Sequence, residues 1–225
     1  PALLAAGGAA ALDQRVDYSV RFSATPEPEL EVTLTLKGDA DGATQINLPD
    51  RWAGEQRLYE LLSNFVVQGG TVETPNGRPA TRIIRHQPGQ RLRINYRVSS
   101  AWQADPVIGM PGASNPYRPV IRPDWFNVLG NSVFALPASE ITRPARVRWQ
   151  VPRGWTLASD TQHPDLDLED VVDSVTLAGS DVRLYSQTVE GGPLRIAVHG
   201  RLQLDEAELV RAVTTVSQAQ RRFWG

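Results

Sequence analysis

Few side chains in this sequence are of the types that carry enzyme chemistry by themselves. The chain has no cysteine and three histidines, His86, His163 and His199. None of these histidines has a second metal-binding residue at helical or hairpin spacing, so we expect surface or packed residues rather than ligands. The motifs H-E-x-x-H, G-x-S-x-G and G-x-x-x-x-G-K do not occur. We therefore predict no catalytic residue, no metal ligand and no bound cofactor in this chain, and we assign no substrate-binding residue.

One acidic segment, residues 159–170, has the composition of a possible calcium site. Its carboxylates belong to Asp165, Asp167, Glu169 and Asp170. Alternating carboxylates can hold calcium, but a calcium loop also needs a glycine at its sharp turn, and this segment has none. A solvated acidic loop is the favoured interpretation.

Aromatic residues offer a third kind of site. The six tryptophans are Trp52, Trp102, Trp125, Trp149, Trp155 and Trp224. Such rings can form a platform for sugars, although they more often anchor cores and loops. A long proline-rich segment, 105–124, has Trp102, Tyr117 and Trp125 at or near its edges. Long loops of this kind are often functional, but we favour a loop that its aromatic residues pin to the protein.

The elements that must position these residues are predicted to be strands. Residues 146–155 set the pattern, because Val147, Trp149 and Val151 alternate with polar residues before a proline and a glycine end the strand. Similar alternation or strand-forming composition predicts further strands at 18–22, 30–36, 45–48, 71–73, 81–86, 91–99, 128–136, 182–188 and 194–199. The short polar link at 38–42 predicts a hairpin between its two neighbouring strands. Residues 56–68 fit a helix and a strand equally well.

The hydrophobic period changes near the end of the chain. Asp205 and Glu208 have the spacing of a capping box. Apolar residues then recur at helical spacing, at Leu209, Val213, Val216 and Phe223. We predict an amphipathic helix of about 18 residues, roughly 27 Å long. Because nothing follows this helix, we expect the sequence to be a fragment of a longer protein.

Composition narrows the class of protein. The chain has 225 residues, of which 41% are hydrophobic and 21% charged, and its net charge is −2. We therefore predict a globular protein with no nucleic-acid partner, and the absence of an 18-residue apolar run predicts no membrane span. The Ala-rich start contains a small-x-small pattern at 9–11. That pattern favours a signal-peptide remnant, and hence a periplasmic or secreted protein, over a disordered linker.

Nearly the whole chain after about Asp17 resembles the N-terminal part of the glycyl aminopeptidase family of zinc metallopeptidases (metallopeptidase family 61), most clearly in its second half. The matching features are a P-x-G-W turn, an Asp-Ser element, a hairpin and a helix that ends in F-W-G. They fall at Pro152, Gly154-Trp155, Asp173-Ser174, His199-Gly200 and Phe223-Trp224-Gly225. The segment with Trp52, Leu58 and Tyr59 and the strand at 18–22 also resemble this family.

The resemblance implies a division of the chain and a role for it. Residues 1–16 would be disordered or a signal-peptide remnant, 17–172 an antiparallel β-sandwich, and 173–225 the first hairpin and helix of a thermolysin-like catalytic domain. The zinc motif of the family would lie beyond this chain, so zinc and peptide substrates are expected only in the full-length protein. The chain itself would be inactive, support the missing catalytic domain and flank its substrate cleft. The alternative is an exported sandwich that binds carbohydrate or protein through its Trp-rich loop.

Overall fold

We describe residues 14–102 and 117–224 of the protein from a computed structural model. Within these ranges the strands are β1 (Val16–Ser23), β2 (Glu29–Lys37), β3 (Ala43–Asn47), β4 (Leu62–Gln68), β5 (Thr71–Glu73), β6 (Thr81–Arg85), β7 (Arg91–Ser99), β8 (Val120–Ile121), β9 (Trp125–Leu129), β10 (Leu136–Pro137), β11 (Pro144–Gln150), β12 (Thr156–Ser159), β13 (Leu166–Asp167), β14 (Val175–Gly179), β15 (Arg183–Val189) and β16 (Gly192–Val198). The helices are α1 (Gly130–Val133), α2 (Leu168–Asp173) and α3 (Glu206–Trp224). The predicted fold, mainly β with a final hairpin and helix, is confirmed.

The largest sheet has six strands in the order β13-β11-β1-β2-β7-β4. Burial alternates along its central strands because successive side chains point to opposite faces. The inward residues predicted for β2, from Leu30 to Leu36, are at most 1% exposed. One pair departs from the antiparallel prediction, since β11 runs parallel to β1. The long connection between these two strands makes a parallel arrangement possible.

Two four-stranded sheets complete the sandwich, in the orders β10-β3-β6-β5 and β12-β14-β9-β8. Buried side chains from all three sheets form one continuous hydrophobic cluster. Tyr18 and Leu34 enter it from the large sheet, Ile46 from the second sheet and Phe126 from the third. One shared core of this kind makes the three sheets a single folding unit.

The predicted hairpin between the strands at 30–36 and 45–48 is wrong. Both edges of β2 are occupied, by β1 and by β7, and β3 pairs with β6 and β10 in a different sheet. The link between β2 and β3 therefore crosses between sheets. Gly42 makes this crossing possible, since its φ is 80° and a Cβ there would lie 2.8 Å from the carbonyl oxygen of His86.

The ambiguous stretch at 56–68 contains both kinds of structure. A 3₁₀ turn at Leu58–Leu61 is followed directly by β4. The pairing of β4 with β7 shifts register between Ser63 and Val66, and Asn64 between them has a φ of 53°. Such a bulge on an edge strand interrupts the ladder that another chain would otherwise extend.

The strand predicted at 128–136 is also wrong over most of its length. β9 ends at Leu129 and the single-turn helix α1 follows. The reason is a close approach of two backbones, because a Cβ on Gly130 would lie 1.9 Å from the carbonyl oxygen of Val171 in α2. The Gly130 amide donates to the Ser174 carbonyl at 2.8 Å, and this contact turns the chain away from the sheet.

After the sandwich, the chain forms a two-stranded unit with a helix against it. β14 is hydrogen-bonded between β12 and β9, so sheet pairing extends the sandwich to Gly179, past the predicted boundary at residue 172. β15 and β16 then form the predicted hairpin. Val210 of α3 packs against Ile196 and Val198 of that hairpin in a small second cluster. The assignment of 173–225 to a second domain stays a prediction.

Candidate functional site

The three histidines lie in different parts of the structure. The Nε2 atom of His86 is 2.8 Å from the Thr44 hydroxyl, and its Nδ1 atom is 2.8 Å from the Gln87 carbonyl. His163 is exposed in the segment between β12 and β13. His199 ends the hairpin and contacts Asp181. Across 14–102 and 117–224, no group of three or more histidine, aspartate or glutamate residues is placed to hold a metal ion.

The acidic segment at 159–170 is not simply a loop, because β13 and the start of α2 lie inside it. Asp167 and Asp170 form a capping box at the start of α2. The Asp170 amide donates to the Asp167 carboxylate at 2.9 Å, and the Asp167 amide donates to the Asp170 carboxylate at 3.1 Å. Two of the four carboxylates proposed for calcium therefore satisfy backbone amides at a helix start, where negative charge is also favoured by the helix dipole.

The tryptophans do not share one surface. Trp149 and Trp155 pack against the sandwich core, and the indole N–H of Trp149 donates to the Thr161 hydroxyl at 2.9 Å. Trp125 stacks on His199 with ring centroids 4.0 Å apart. Trp52 and Trp224 are 41% and 82% exposed, on separate elements. Most of the proline-rich segment at 105–124 lies outside the described residues.

A junction between the hairpin and the sandwich is built around His199. Its ring stacks on Trp125 of β9, and its Nδ1 atom lies 2.6 Å from the Asp181 carboxylate. The second carboxylate oxygen of Asp181 accepts from the Gly200 amide at 3.1 Å. Desolvation by itself raises the pKa of Asp181, but the hydrogen bonds from His199 and Gly200 outweigh it, and the net pKa is lowered. A further hydrogen bond joins the hairpin to the sandwich, from the Arg195 guanidinium of β16 to the Ser159 carbonyl of β12 at 3.0 Å.

A second polar cluster fastens α3 to the hairpin. Arg183 of β15 donates to both carboxylate oxygens of Glu206, including a bond of 2.9 Å from its Nε atom. The Tyr185 hydroxyl donates to the same carboxylate. These hydrogen bonds, first from Arg183 and then from Tyr185, lower the pKa of Glu206. No periodicity points to this cluster, because Glu206 lies about twenty residues after Arg183 and Tyr185 and on a different element.

The start of α3 differs slightly from the predicted capping box. The Asp205 side chain accepts from the Ala207 amide at 3.0 Å, so Asp205 caps the helix as predicted. The Glu208 carboxylate lies 3.9 Å from the Arg211 guanidinium, one turn further along the helix. The Glu208 side chain therefore pairs with Arg211 in the next turn instead of accepting a hydrogen bond from the Asp205 amide, as a capping box would require.

The apolar face of α3 is divided in two. Leu209 and Val213 pack against the hairpin, as does the buried Val210. Val216, Phe223 and Trp224 instead point away from it and are 57%, 77% and 82% exposed. The hairpin therefore covers the apolar face over the first half of the helix, and that face is exposed over the second half. Within the described ranges, no helix combines the length and the apolar character needed to cross a membrane.

Comparisons with known proteins point to peptidases. Residues 17–179 match the profile of the Peptidase M61 N-terminal domain. The structure is similar to an aminopeptidase N family protein from Idiomarina loihiensis, with 13% identity and a TM-score of 0.70 over 91% of this chain and 36% of that one. An M1 zinc metallopeptidase from Deinococcus radiodurans has 15% identity and a TM-score of 0.48 over 91% of this chain and 52% of that one. No curated protein matches significantly. The chain thus spans between about a third and a half of these two proteins, and the first likeness shows a shared fold.

Proposed function

This chain belongs to the Peptidase M61 N-terminal domain family, and from that premise we propose that it serves an exported zinc aminopeptidase resembling glycyl aminopeptidase. In this proposal the sandwich supports a catalytic domain and forms one wall of the cleft that receives peptide substrates. Peptide hydrolysis by zinc needs a bound water and a carboxylate base held together. The sequence has no H-E-x-x-H, so the proposal places the zinc and its ligands in the catalytic domain.

The observation that carries this proposal is the exposed second half of α3. Phe223 and Trp224 are among the most exposed large hydrophobic residues of the described chain, and Val216 lies about two turns before them. Leu202 and Leu204, just before the helix, are also exposed, at 37% and 51%. Large apolar side chains left exposed in this way suit an interaction site. Burying Phe223 alone would contribute about 2 kcal/mol to domain association.

The role of the domain is tested by comparing this chain with the longer protein from the same gene. We expect the longer protein to bind one zinc ion and to cleave glycyl and alanyl p-nitroanilides, and this chain to do neither. Zinc content by mass spectrometry and release of p-nitroaniline give the two readouts. A purified 225-residue chain that holds stoichiometric zinc, or that cleaves either substrate, would contradict the proposal.

The contact with the catalytic domain is tested by a pair of variants in the longer protein. Replacing Phe223 and Trp224 by serine should lower the melting temperature of that protein and leave the melting of this chain alone unchanged. Ile141→Ser is a suitable control, because Ile141 is 44% exposed on the sandwich and belongs to no proposed interface. Equal effects of the two changes on the longer protein would refute the proposed contact.

Export is a separate part of the proposal and rests on the Ala-rich start of the sequence. Cell fractionation of the source organism, followed by immunoblotting, tests it directly. We expect the protein in the periplasmic or culture fraction, and recovery only with cytoplasmic markers would argue against export.

A further inference from the structure

The outer face of the six-stranded sheet carries an unusual concentration of arginine. Two rows of side chains run across four strands. One row joins Arg146, Asp17, Thr35 and Arg93, and the next joins Arg148, Ser19, Thr33 and Asn95. Arg91 lies beside the first row. We call this surface the arginine shelf and define it by Arg91, Arg93, Arg146 and Arg148 around the hydroxyl groups of Ser19, Thr33 and Thr35.

Negative charge on the shelf is far too small to balance these arginines. Asp17 is its one lining carboxylate among the described residues. Asp17 is already shared, at 2.6 Å from Arg146, 3.3 Å from Arg15 and 4.0 Å from Arg91. The guanidinium groups of Arg93 and Arg148 make no hydrogen bond or ion pair with any residue of 14–102 or 117–224. The shelf is therefore strongly positive, although the whole chain has a net charge of −2.

The rest of the same face shows that this excess is local. Toward the other end of β2, Glu29 lies 2.9 Å from Arg97. Glu31 accepts a hydrogen bond from Arg21 and lies 3.7 Å from Arg97. Arginines on that half of the sheet thus have carboxylate partners on neighbouring strands, which is the usual cross-strand arrangement. On the shelf, the positions facing Arg93 and Arg148 are threonine and serine instead.

The shape of the shelf suits a small ligand. It encloses a shallow cavity of about 250 Å³ between the arginine side chains, which is below the roughly 300–1,000 Å³ of pockets for larger organic ligands. The floor offers hydroxyl groups, and that of Thr35 donates to no residue of the described chain. Arg93 and Arg148 stand on strands separated by about 14 Å, so their long side chains reach the floor from opposite sides.

We propose that the arginine shelf binds a small tetrahedral dianion, phosphate or sulfate, between Arg93 and Arg148. Guanidinium groups present paired N–H donors that match the oxygens of such an anion. The hydroxyl groups of Ser19 and Thr35 complete the set of donors from below. Binding is reversible and involves no bond-making step.

The proposal is tested by titrating the purified chain with inorganic phosphate and, separately, with sulfate. Amide chemical shifts on β1, β2, β7 and β11 report the site, and sodium chloride at matched ionic strength controls for general screening. We expect saturable shifts with millimolar affinity for at least one dianion, and none with chloride. Saturation by one dianion alone would identify which of the two the shelf selects.

Two arginine variants supply the decisive comparison. The double variant Arg93→Ala, Arg148→Ala should weaken binding by about tenfold or more. Arg153→Ala is the matched control, because Arg153 is exposed in the turn after β11 and lies off the shelf; its affinity should be unchanged. Since all three positions are exposed, the variants should fold. Equal affinity in the double variant and the wild type, or no saturable shift with either dianion, would overturn the proposal.

Discussion

At the scale of single residues, the sandwich depends on two buried tyrosines that occupy the space between its layers. The Tyr18 hydroxyl donates to the Ala135 carbonyl at 2.9 Å. The Tyr96 hydroxyl donates to the Val133 carbonyl at 3.1 Å and accepts from the Ala135 amide at 3.0 Å. Both tyrosines therefore hold the segment after α1, which has no long strand to supply its backbone hydrogen bonds.

These contacts predict that two similar substitutions will lower the free energy of unfolding by different amounts. Tyr96→Phe leaves both a buried amide and a buried carbonyl without a partner, whereas Tyr18→Phe removes one bond to a carbonyl. We expect Tyr96→Phe to lower the free energy of unfolding by about 2–3 kcal/mol and Tyr18→Phe by about 1 kcal/mol. Urea denaturation measures both values, and an equal or reversed order would show that this bonding scheme is wrong.

The same tyrosines predict instability at alkaline pH. Burial, the largest cause, raises the pKa of both phenols above their ordinary value of 10.0. The stabilisation that these raised pKa values give to the folded state is therefore fully present below pH 10.0. It is lost as the pH rises toward the native-state pKa values, because in this range only the unfolded chain releases these protons. The free energy of unfolding should fall by about 2.7 kcal/mol per pH unit there for two such groups. Removing both hydroxyls by the double Phe substitution should flatten this decline, and a decline of unchanged slope would contradict the assignment.

Single residue types say little about a site until the fold places them. The three histidines lie in different parts of the structure, and the prediction that none of them binds a metal stays a prediction. Asp167 and Asp170 are a further example, because carboxylates at this spacing suit calcium and helix capping equally well. Only the position of the α2 backbone decides between the two. The Arg183–Glu206–Tyr185 cluster gave no signal, since it exists only after α3 docks on the hairpin.

At the scale of elements, the hairpin and α3 form a unit held mainly by polar contacts. Their shared apolar cluster contains three buried residues, Ile196, Val198 and Val210. The Glu206 carboxylate accepts from Arg183 and from Tyr185. The sandwich, by contrast, is held by a continuous core that extends through all three of its sheets. We therefore expect the hairpin–helix unit to open before the sandwich does.

This difference predicts a selective response to acid. Hydrogen bonds from Arg183 and Tyr185 lower the pKa of Glu206 from its ordinary value of 4.5. The stabilisation they give is present above that value and is lost as the pH falls through the lower native-state pKa. Below pH 4.5 the protection factors of the α3 amides, which are exchange rates corrected for the slower intrinsic exchange in acid, should fall, while those of the sandwich amides should stay high.

Two glutamine variants isolate the role of this carboxylate. Glu206→Gln should already speed exchange in α3 at neutral pH and weaken its dependence on acid. Glu208→Gln removes an exposed carboxylate of the same helix, 3.9 Å from Arg211, and should change little, as surface ion pairs usually contribute weakly. Identical exchange in the two variants would mean that Glu206 does not fasten the helix.

The strands themselves were predictable, but their partners were not. Alternation at 18–22, 30–36 and 91–99 gave β1, β2 and β7 because side-chain burial follows a period of two. Pairing between distant strands leaves no such trace. The predicted β2–β3 hairpin failed because β2 is shared by β1 and β7, and the parallel contact of β1 with β11 joins residues about 130 apart. Likewise, the break after β9 depends on a close approach of Gly130 to Val171 that only the folded chain reveals.

At the scale of the whole molecule, the surface of the described residues has two features that bear on what this chain could bind. One is the apolar end of α3, with Phe223 and Trp224 exposed. The other is the arginine shelf on the outer face of the six-stranded sheet. We propose that the first attaches a catalytic domain; the family membership of the chain supports this proposal. The second suits a small anion and does not depend on the first.

The central claim is that the chemistry of this protein is carried out by a domain joined to this chain. Sequencing the gene past the codon for Gly225 tests that claim most directly. We predict an open reading frame that encodes H-E-x-x-H and a more distal glutamate, the residues needed to bind zinc and activate water. A stop codon directly after Gly225, or a continuation without that motif, would contradict the account.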